Sequence, residues 1–217
     1  MLRSIASLAA LLLAAALPEA PAHATLACPS STPAVDVTTT AGAPRIDNTL
    51  TQPALQQLAG KMHHGGRALG LYRAQLEVQW RTSTAWRSSG AEACHWIDRV
   101  AIEITMLDRV IYIVRARLPG TCPYESLLAH ERKHQAVDDA VIAEYRPLLE
   151  RAAERAAAAV PAAPVPVDQG EAAEARLTAA VETALQSAVK AMQETRAARQ
   201  AAVDTPAEYR RIRAACG

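Results

Sequence analysis

The sequence predicts an α+β protein in which a small antiparallel sheet packs on one helix and a helical hairpin follows at the C-terminus. Apolar and polar residues alternate strictly from Leu71 to Arg81, which is typical of a half-buried strand, and two further apolar runs follow. From Tyr124 there is no glycine, and no proline until Pro147, which favours helix. Three strands and a packed helix suffice for a small core.

The first 24 residues have the pattern of a secretory signal peptide. Arg3 precedes an apolar run from Ile5 to Leu17, and Ala22-His23-Ala24 is a small-x-small cleavage signal. We expect cleavage after Ala24. A lipoprotein anchored at Cys28 is the alternative, but the apolar run ends well upstream of that cysteine. The protein is therefore expected to be exported, periplasmic or extracellular, without the roughly 20 apolar residues of a transmembrane helix.

Two short elements are predicted before the sheet. The run from Val35 to Thr40 favours an edge strand, which Gly42 interrupts. Thr51 to Met62 has leucines at helical spacing and predicts a short helix. The pair His63-His64 at its end is interpreted as a polar helix terminus rather than a metal site.

The middle of the chain predicts three strands. The first runs from Leu71 to Arg81, and the second from Cys94 to Met106. Asp108 is predicted to begin a turn into the third, Val110 to Arg117, so that these last two strands form an antiparallel hairpin. His95 falls on the polar face of the second strand and is expected to be exposed.

The remaining residues are predicted to be helical. Pro123 suits the first turn of a helix, and a kink or break is expected where Pro147 follows Arg146. We therefore divide the mature chain into a domain of residues 25–146 and a helical region of residues 147–217.

The helical region contains a predicted linker at residues 161–170, which is rich in proline. Glu171 to Val203 follows as an amphipathic helix and is expected to fold back on the preceding helix as a hairpin. Thr205-Pro206-Ala207-Glu208 has the spacing of a capping box, so a short last helix should run to about Ala214. The apolar stripe of the amphipathic helix consists of Leu177, Val181, Leu185, Ala188 and Met192.

Four cysteines predict two disulfides in an exported protein, and four cysteines allow three pairings. The preferred pairing joins Cys94 to Cys122, because both flank the predicted strands. It also joins Cys28 to Cys216, which would tie the mature termini together.

The net charge argues against nucleic acid as a partner. The formal net charge is +1, and the chain has no basic face or arginine cluster interleaved with aromatic residues. The positive surface by which proteins attract nucleic acids is therefore not expected.

One motif carries chemistry: His130-Glu131-Arg132-Lys133-His134 reads H-E-x-x-H inside the predicted helix. Residues four apart lie on one face of a helix, so His130 and His134 can bind a single zinc ion through neutral imidazoles. Glu131 would act as the general base on the zinc-bound water. This is the chemistry of a zinc peptidase, and the strands before the helix resemble a zincin domain. The charged pair Arg132 and Lys133 requires the back of the helix to be exposed.

The motif gives two ligands, whereas a catalytic zinc site normally has three from the protein. Asp138 lies about 12 Å along the helix from His130 and is better placed to orient His134 than to reach the same metal. Glu144 could be a ligand only if the helix broke early. Other glutamates that a second helix could supply are Glu150, Glu154, Glu171 and Glu174.

The chain resembles a bacterial family described as predicted secreted zinc-dependent proteases. The resemblance covers roughly Val35 to Tyr145 and includes G-G-R-A-L-G-L-Y-R-A-Q-L-E-V-Q-W-R (Gly65 to Arg81) and L-P-G (Leu118 to Gly120). It ends in L-L-A-H-E-R-K-H (Leu127 to His134). The resemblance implies a zincin-like domain with His130 and His134 as zinc ligands and Glu131 as the catalytic base.

The expected function is zinc-dependent hydrolysis of peptide bonds in a peptide or protein substrate, in the periplasm or outside the cell. The alternative is a non-catalytic zincin-derived module that binds a partner through its alanine-rich helices. A third interpretation is a disulfide-tied structural protein in which the motif is coincidental.

Overall fold

The computed structural model describes residues 26–30, 32–60 and 67–217. The predicted signal peptide and the pair His63-His64 lie outside the described residues. In chain order the elements are β1 (Ala34–Thr40), β2 (Arg45–Asp47), α1 (Gln52–Ala59), β3 (Gly70–Ser89), β4 (Glu92–Ile113), α2 (Cys122–Ala159), β5 (Pro164–Pro166), α3 (Gly170–Val203) and α4 (Pro206–Ala214), with a short 3₁₀ turn at Val167–Gln169.

Strand β4 is the centre of a mixed sheet. Along one edge it pairs with β3, antiparallel, over almost its whole length. Along the other edge it pairs successively with β5 (antiparallel), β1 (parallel) and β2 (parallel). The α+β class is confirmed, but the expectation of an antiparallel sheet is wrong. β1 and β2 run in the same direction as β4. The chain that leads from them to β4 contains α1 and β3 and forms a crossover connection.

The predicted turn at Asp108 is a β-bulge. Arg73 pairs with Val110 and Gln75 pairs with Leu107, so β4 continues past the irregularity as one strand. Asp108 takes a φ of 50°, which a short polar side chain tolerates. The two strands predicted on either side of Asp108 are therefore one strand, and the hairpin turn lies at Gly90 instead, where φ is 61°.

The core lies between one face of the sheet and the α2–α3 hairpin. Val100, Ile102 and Ile104 of β4 are at most 1% exposed, and they belong to the same apolar cluster as Val141 and Leu149 of α2. The predicted stripe of α3 is confirmed, since Leu177, Val181, Leu185 and Met192 are buried there and Ala188 packs against them.

Helix α2 passes through Pro147 without ending, so of the kink or break predicted after Arg146 the break is wrong. Tyr145 and Leu149, on either side of the proline, are buried in the core. The Arg146 guanidinium also donates to the carbonyl of Val37 in β1, at 3.1 Å. Tertiary packing on both sides therefore offsets the one backbone hydrogen bond that a proline removes.

Both short helices begin after a threonine cap, of which the one at Thr205 was predicted. Thr51 accepts a hydrogen bond from the Ala54 N–H, and α1 ends before Gly60, earlier than the sequence predicted. Thr205 accepts from the Glu208 N–H at 3.1 Å, which confirms Thr205 as the N-cap. The Glu208 carboxylate binds Lys133 and Arg211 instead of the Thr205 N–H, so the reciprocal half of the predicted capping box is wrong. The proline-rich segment of residues 161–170 contains β5 and the 3₁₀ turn.

The disulfides join Cys28 to Cys94 and Cys122 to Cys216, so the preferred pairing is wrong. Cys94 and Cys122 were expected to pair because both flank the predicted strands. Because β4 is one continuous strand, the residues from Cys94 to Ile113 span roughly 60 Å. Cys94 and Cys122 therefore lie at opposite ends of the sheet. Two disulfides are consistent with an exported protein.

His95 is half-buried rather than exposed. A Cβ added to Gly170, at the start of α3, would lie 2.8 Å from the His95 Nε2. The N-terminus of α3 therefore packs over this position of β4. The His95 Nδ1 is buried without a hydrogen-bond partner among the described residues.

Within residues 26–30, 32–60 and 67–217, no helix is long and apolar enough to cross a lipid bilayer.

Candidate metal centre

The two histidines of the motif lie one turn apart on α2 and face the end of α3. Their ring centroids are 5.0 Å apart, and their planes are perpendicular. His130 is 4% exposed, and the His134 side chain is 12% exposed. Glu131, between them in sequence, points instead toward β3.

Asp204, which the sequence analysis did not consider, completes the cluster. It lies in the turn between α3 and α4, and its Oδ1 is 3.3 Å from the His130 Nε2 and 3.4 Å from the His134 Nε2. Within the described residues, these three side chains form the one group of potential metal ligands, with all ligand atoms within 4.8 Å of one another.

None of the six carboxylates suggested as a third ligand belongs to this cluster. Asp138 and Glu144 are paired with arginines of α3, at 2.7 Å in each case. Glu174 binds the Thr84 hydroxyl near the other end of the sheet. Glu150 lies sixteen residues after His134, about 24 Å along α2. Glu154 and Glu171 lie closer to the turn between α2 and α3, and so farther from the histidines.

The register of the α2–α3 hairpin explains how Asp204 reaches the motif. Asp138 contacts Arg196, His134 contacts Gln200 and His130 contacts Asp204. Each step of four residues back along α2 is thus matched by four residues forward along α3. The sequence predicted both the hairpin and the capping box. Aligning the two helices in this register could therefore have identified Asp204.

Hydrogen bonds at Nδ1 define the tautomer of each imidazole. The His130 Nδ1 lies 3.3 Å from a carboxylate oxygen of Glu208, which can only accept from it when ionised. The His134 Nδ1 lies 2.6 Å from the Gln200 Oε1. Both Nδ1 atoms therefore carry hydrogen, and both Nε2 atoms face Asp204. Metal-binding histidines are typically held in this way.

The distances from Asp204 to the two imidazoles match the spacing of ligands around a metal ion. In a tetrahedral site with bonds of about 2.0–2.1 Å, neighbouring ligand atoms lie about 3.4 Å apart. The two measured Nε2–Oδ1 distances are 3.3 and 3.4 Å. Neutral Nε2 lone pairs and a carboxylate oxygen repel one another at this distance unless a proton or a cation lies between them. In the metal-free protein a proton on an imidazole can lie between these groups, and a cation can take its place, so the residues fit a bound cation.

Helix α4 supplies the groups around Asp204. The Tyr209 hydroxyl donates to Asp204 Oδ1 at 2.8 Å. Burial opposes ionisation of Asp204, but the two imidazoles and this hydroxyl hold its pKa well below the usual range. Hydrogen bonds from Arg211, and then from Lys133, hold the pKa of Glu208 well below the usual range despite partial burial. Both carboxylates are therefore anionic at neutral pH.

Glu131 is packed against the backbone of β3. A Cβ on Gly70 would collide with its Oε1, so a larger residue at this position would displace the carboxylate. The Tyr72 N–H donates to the Glu131 carboxylate. Burial raises the pKa of Glu131 to about 7, although the charges of His130 and His134 oppose the shift. A carboxyl group with such a pKa can accept and return a proton near neutral pH.

The back of the motif helix is exposed, as Arg132 and Lys133 required. Lys133 reaches Glu208 of α4 at 2.7 Å. Arg132 lines a cleft of about 430 Å³ together with Ile46 of β2 and Asp139 of α2. This cleft lies on the side of α2 opposite the histidines, so it is not the approach to the metal cluster.

Comparisons of the chain with protein-family models, with curated proteins and with solved structures found no match.

Proposed function

We propose that this protein is an exported zinc-dependent peptidase with His130, His134 and Asp204 as metal ligands and Glu131 as the general base. The observation that carries the proposal is the convergence of two Nε2 atoms and one carboxylate oxygen within 4.8 Å of one another, with both imidazoles 3.3 to 3.4 Å from Asp204. Two imidazoles and a carboxylate suit zinc, and three protein ligands leave a fourth position open. The periplasm or the medium is the proposed location.

Glu131 provides the proton chemistry that peptide hydrolysis needs. A zinc ion in this site would supply Lewis acidity and lower the pKa of a water molecule toward 7. Glu131, with a pKa of about 7, would accept a proton from the nucleophile and return it to the leaving amine. The Tyr72 N–H and the packing on Gly70 fix the position of the carboxylate.

A metal-stabilised module without catalysis is the second candidate, because α4 covers part of the site. Tyr209 lies 5.9 Å from the His130 ring, between centroids, and the Glu208 side chain is only 12% exposed. In this candidate the metal would hold α4 against α2, and Glu131 would have no chemical role.

The first test is metal content. The purified protein is loaded with zinc and dialysed, and zinc is measured by elemental analysis. We expect stoichiometric zinc, which is lost in His130→Ala, His134→Ala and Asp204→Ala. Glu171→Ala, an exposed carboxylate on α3, is the matched control and should retain zinc. Absence of zinc under metal-replete conditions would overturn the metal site, and retention by Asp204→Ala would remove Asp204 as a ligand.

The second test separates the two candidates. Glu131→Gln should keep its zinc but hydrolyse casein or a peptide library at least 100-fold more slowly, roughly what the loss of a general base costs. If zinc binds, no substrate is cut and Glu131→Gln changes nothing, the protein is the metal-stabilised module.

A further inference from the structure

The His134 imidazole is supported by an uncharged amide, whereas His130 is supported by a carboxylate. The Gln200 Oε1 lies 2.6 Å from the His134 Nδ1, and the Glu208 Oε1 lies 3.3 Å from the His130 Nδ1. An amide can present either its oxygen or its NH₂ group to a neighbour. The tautomer of His134 therefore depends on which way the Gln200 amide is turned.

Two buried acceptors determine that orientation. The Gln200 Nε2 donates to the carbonyl of His134 at 2.9 Å and to the Asp138 Oδ1 at 2.7 Å. Both amide hydrogens are thus used, and a rotation of the amide by 180° would leave two acceptors facing an oxygen. The Gln200 Oε1 must face His134, so the Nδ1 of His134 carries the hydrogen and its Nε2 lone pair points toward Asp204.

Asp138 is itself held in place from three sides. Its side chain is 0% exposed and accepts from Arg196 at 2.7 and 3.1 Å, from Gln200 and from the Tyr72 hydroxyl at 3.0 Å. Arg109, 8% exposed, donates to the same Tyr72 hydroxyl at 3.1 Å. The bulge at Asp108 precedes Arg109, and bulges commonly redirect a side chain in this way.

We propose that Gln200 is a positioning residue for the metal centre: it fixes the Nδ1–H tautomer of His134, and Asp138 together with the His134 carbonyl locks its amide in the orientation that does so. The inference rests on the metal site of the proposed function, but not on catalysis. Tyr72 connects it to Glu131, because the N–H of Tyr72 binds Glu131 and its hydroxyl binds Asp138.

Gln200→Met tests the proposal, because methionine keeps a similar length but has no amide. We expect zinc affinity, measured by competition with a chromophoric chelator, to fall about 10- to 100-fold, as it does when a histidine loses its hydrogen-bond partner. Tyr145→Phe is the matched control. Its hydroxyl binds the Ala191 carbonyl and Thr195 within the same hairpin, at 3.1 and 2.7 Å, away from the metal ligands.

The control separates positioning from loss of stability. Both variants lose hydrogen bonds across the hairpin, but Tyr145→Phe should bind zinc with unchanged affinity. Nitrogen-15 NMR of the metal-free protein at pH 8 should show His134 as the Nδ1–H tautomer in the unmodified protein and in Tyr145→Phe, and a mixture with Nε2–H in Gln200→Met.

The possible failures are distinguishable. Equal zinc affinities and an unchanged His134 tautomer in Gln200→Met would overturn the role of Gln200 while the metal site stands. A similar loss of affinity in Tyr145→Phe would also overturn it, because stability alone would then explain the effect. If the unmodified protein binds no zinc, the proposed function fails, and this inference fails with it.

Discussion

The two halves of the metal centre are held by different means. The hairpin half, consisting of His134, Gln200 and Asp138, lies between two long helices whose apolar faces form the core. The C-terminal half, consisting of Asp204, Glu208 and Tyr209, belongs to the α3–α4 turn and to α4, which has no buried residue. The Asp138 side chain is 0% exposed and that of Asp204 is 27% exposed.

This difference shows that a single site can combine one half positioned by the core with another half positioned by local bonds. The C-terminal half is attached through the Thr205 cap, the ion pairs of Glu208 and the disulfide Cys122–Cys216. Both cysteines of that disulfide are exposed, whereas Cys94 in the other disulfide is 0% exposed. Changes in the hairpin half should therefore alter stability most, and changes in the C-terminal half should alter metal affinity with little effect on stability.

Asp138→Asn should produce the largest effect. It removes the anionic partner of Arg196 inside the hairpin, and breaking a buried ion pair costs about 3 kcal/mol. Urea denaturation of the metal-free protein measures the free energy of unfolding. Glu144→Gln breaks an exposed ion pair between the same two helices and should cost less than about 1 kcal/mol. Equal losses of unfolding free energy in Asp138→Asn and Glu144→Gln would contradict a larger contribution from the buried contact.

The pH dependence of the metal-free protein should show opposite trends for the C-terminal carboxylates and for Glu131 and His134 of the motif helix. The pKa of Asp204 and that of Glu208 are lowered by folding, so their contribution is present at neutral pH and lost as the pH falls through the acid range. The pKa of Glu131 is raised from 4.5 to about 7, so folded Glu131 keeps its proton where the unfolded chain has lost it. Stability should therefore fall as the pH rises from about 4.5 to about 7.

The His134 pKa is also raised, because hydrogen bonds to Asp204 and Gln200 outweigh burial, and its contribution is likewise lost as the pH rises. Glu131→Gln should stabilise the metal-free protein at pH 7.5 by on the order of 2 kcal/mol and change little at pH 4.5. Thermal unfolding at the two pH values measures this. The exposed Glu103→Gln serves as the control, and a pH-independent effect of Glu131→Gln would contradict the assignment.

Breaking Cys122–Cys216 should weaken zinc binding about tenfold, because the tether that keeps Asp204 near the histidines is lost. The measurement is chelator competition on the double variant Cys122→Ser/Cys216→Ser. Cys28→Ser/Cys94→Ser removes the other disulfide, at the far end of the sheet, and should leave the affinity unchanged. A larger loss of zinc affinity in Cys28→Ser/Cys94→Ser than in Cys122→Ser/Cys216→Ser would contradict this role of Cys122–Cys216.

Glu208→Gln should give the smallest effect. The amide oxygen can still accept from the His130 Nδ1, and the lost pairs with Lys133 and Arg211 are partly exposed. We expect less than about 1 kcal/mol in stability and a few-fold loss in zinc affinity. Thermal unfolding and chelator competition on the same preparation check both values. A loss as large as that of Asp138→Asn would show that α4 is not the weaker half.

The sequence predicted what depends on local spacing. Four-residue spacing placed His130 and His134 on one face, and the periodicity of α3 identified its buried stripe. Asp204 was missed because it lies 70 residues after His134 and becomes a neighbour only through the register of the hairpin.

The sequence predicts a turn at Asp108, where the structure has a bulge, and a short polar residue at positive φ suits either. Only the length of the partner strand β3 decides between the two, and that is a tertiary property. The continuous strand also separates Cys94 from Cys122, which were expected to pair because both flank the predicted strands. The sequence alone does not show how the early strands β1 and β2 pair with β4. An antiparallel sheet was therefore expected.

The disulfide Cys122–Cys216 closes a covalent ring that contains α2, α3 and α4. The exposed segment of residues 161–169 lies within that ring, at the turn of the hairpin. A single proteolytic cut there would divide the polypeptide into two chains without separating them. The chain with His130 and His134 and the chain with Asp204 would remain joined beside the metal centre, so the protein should tolerate nicking in this segment.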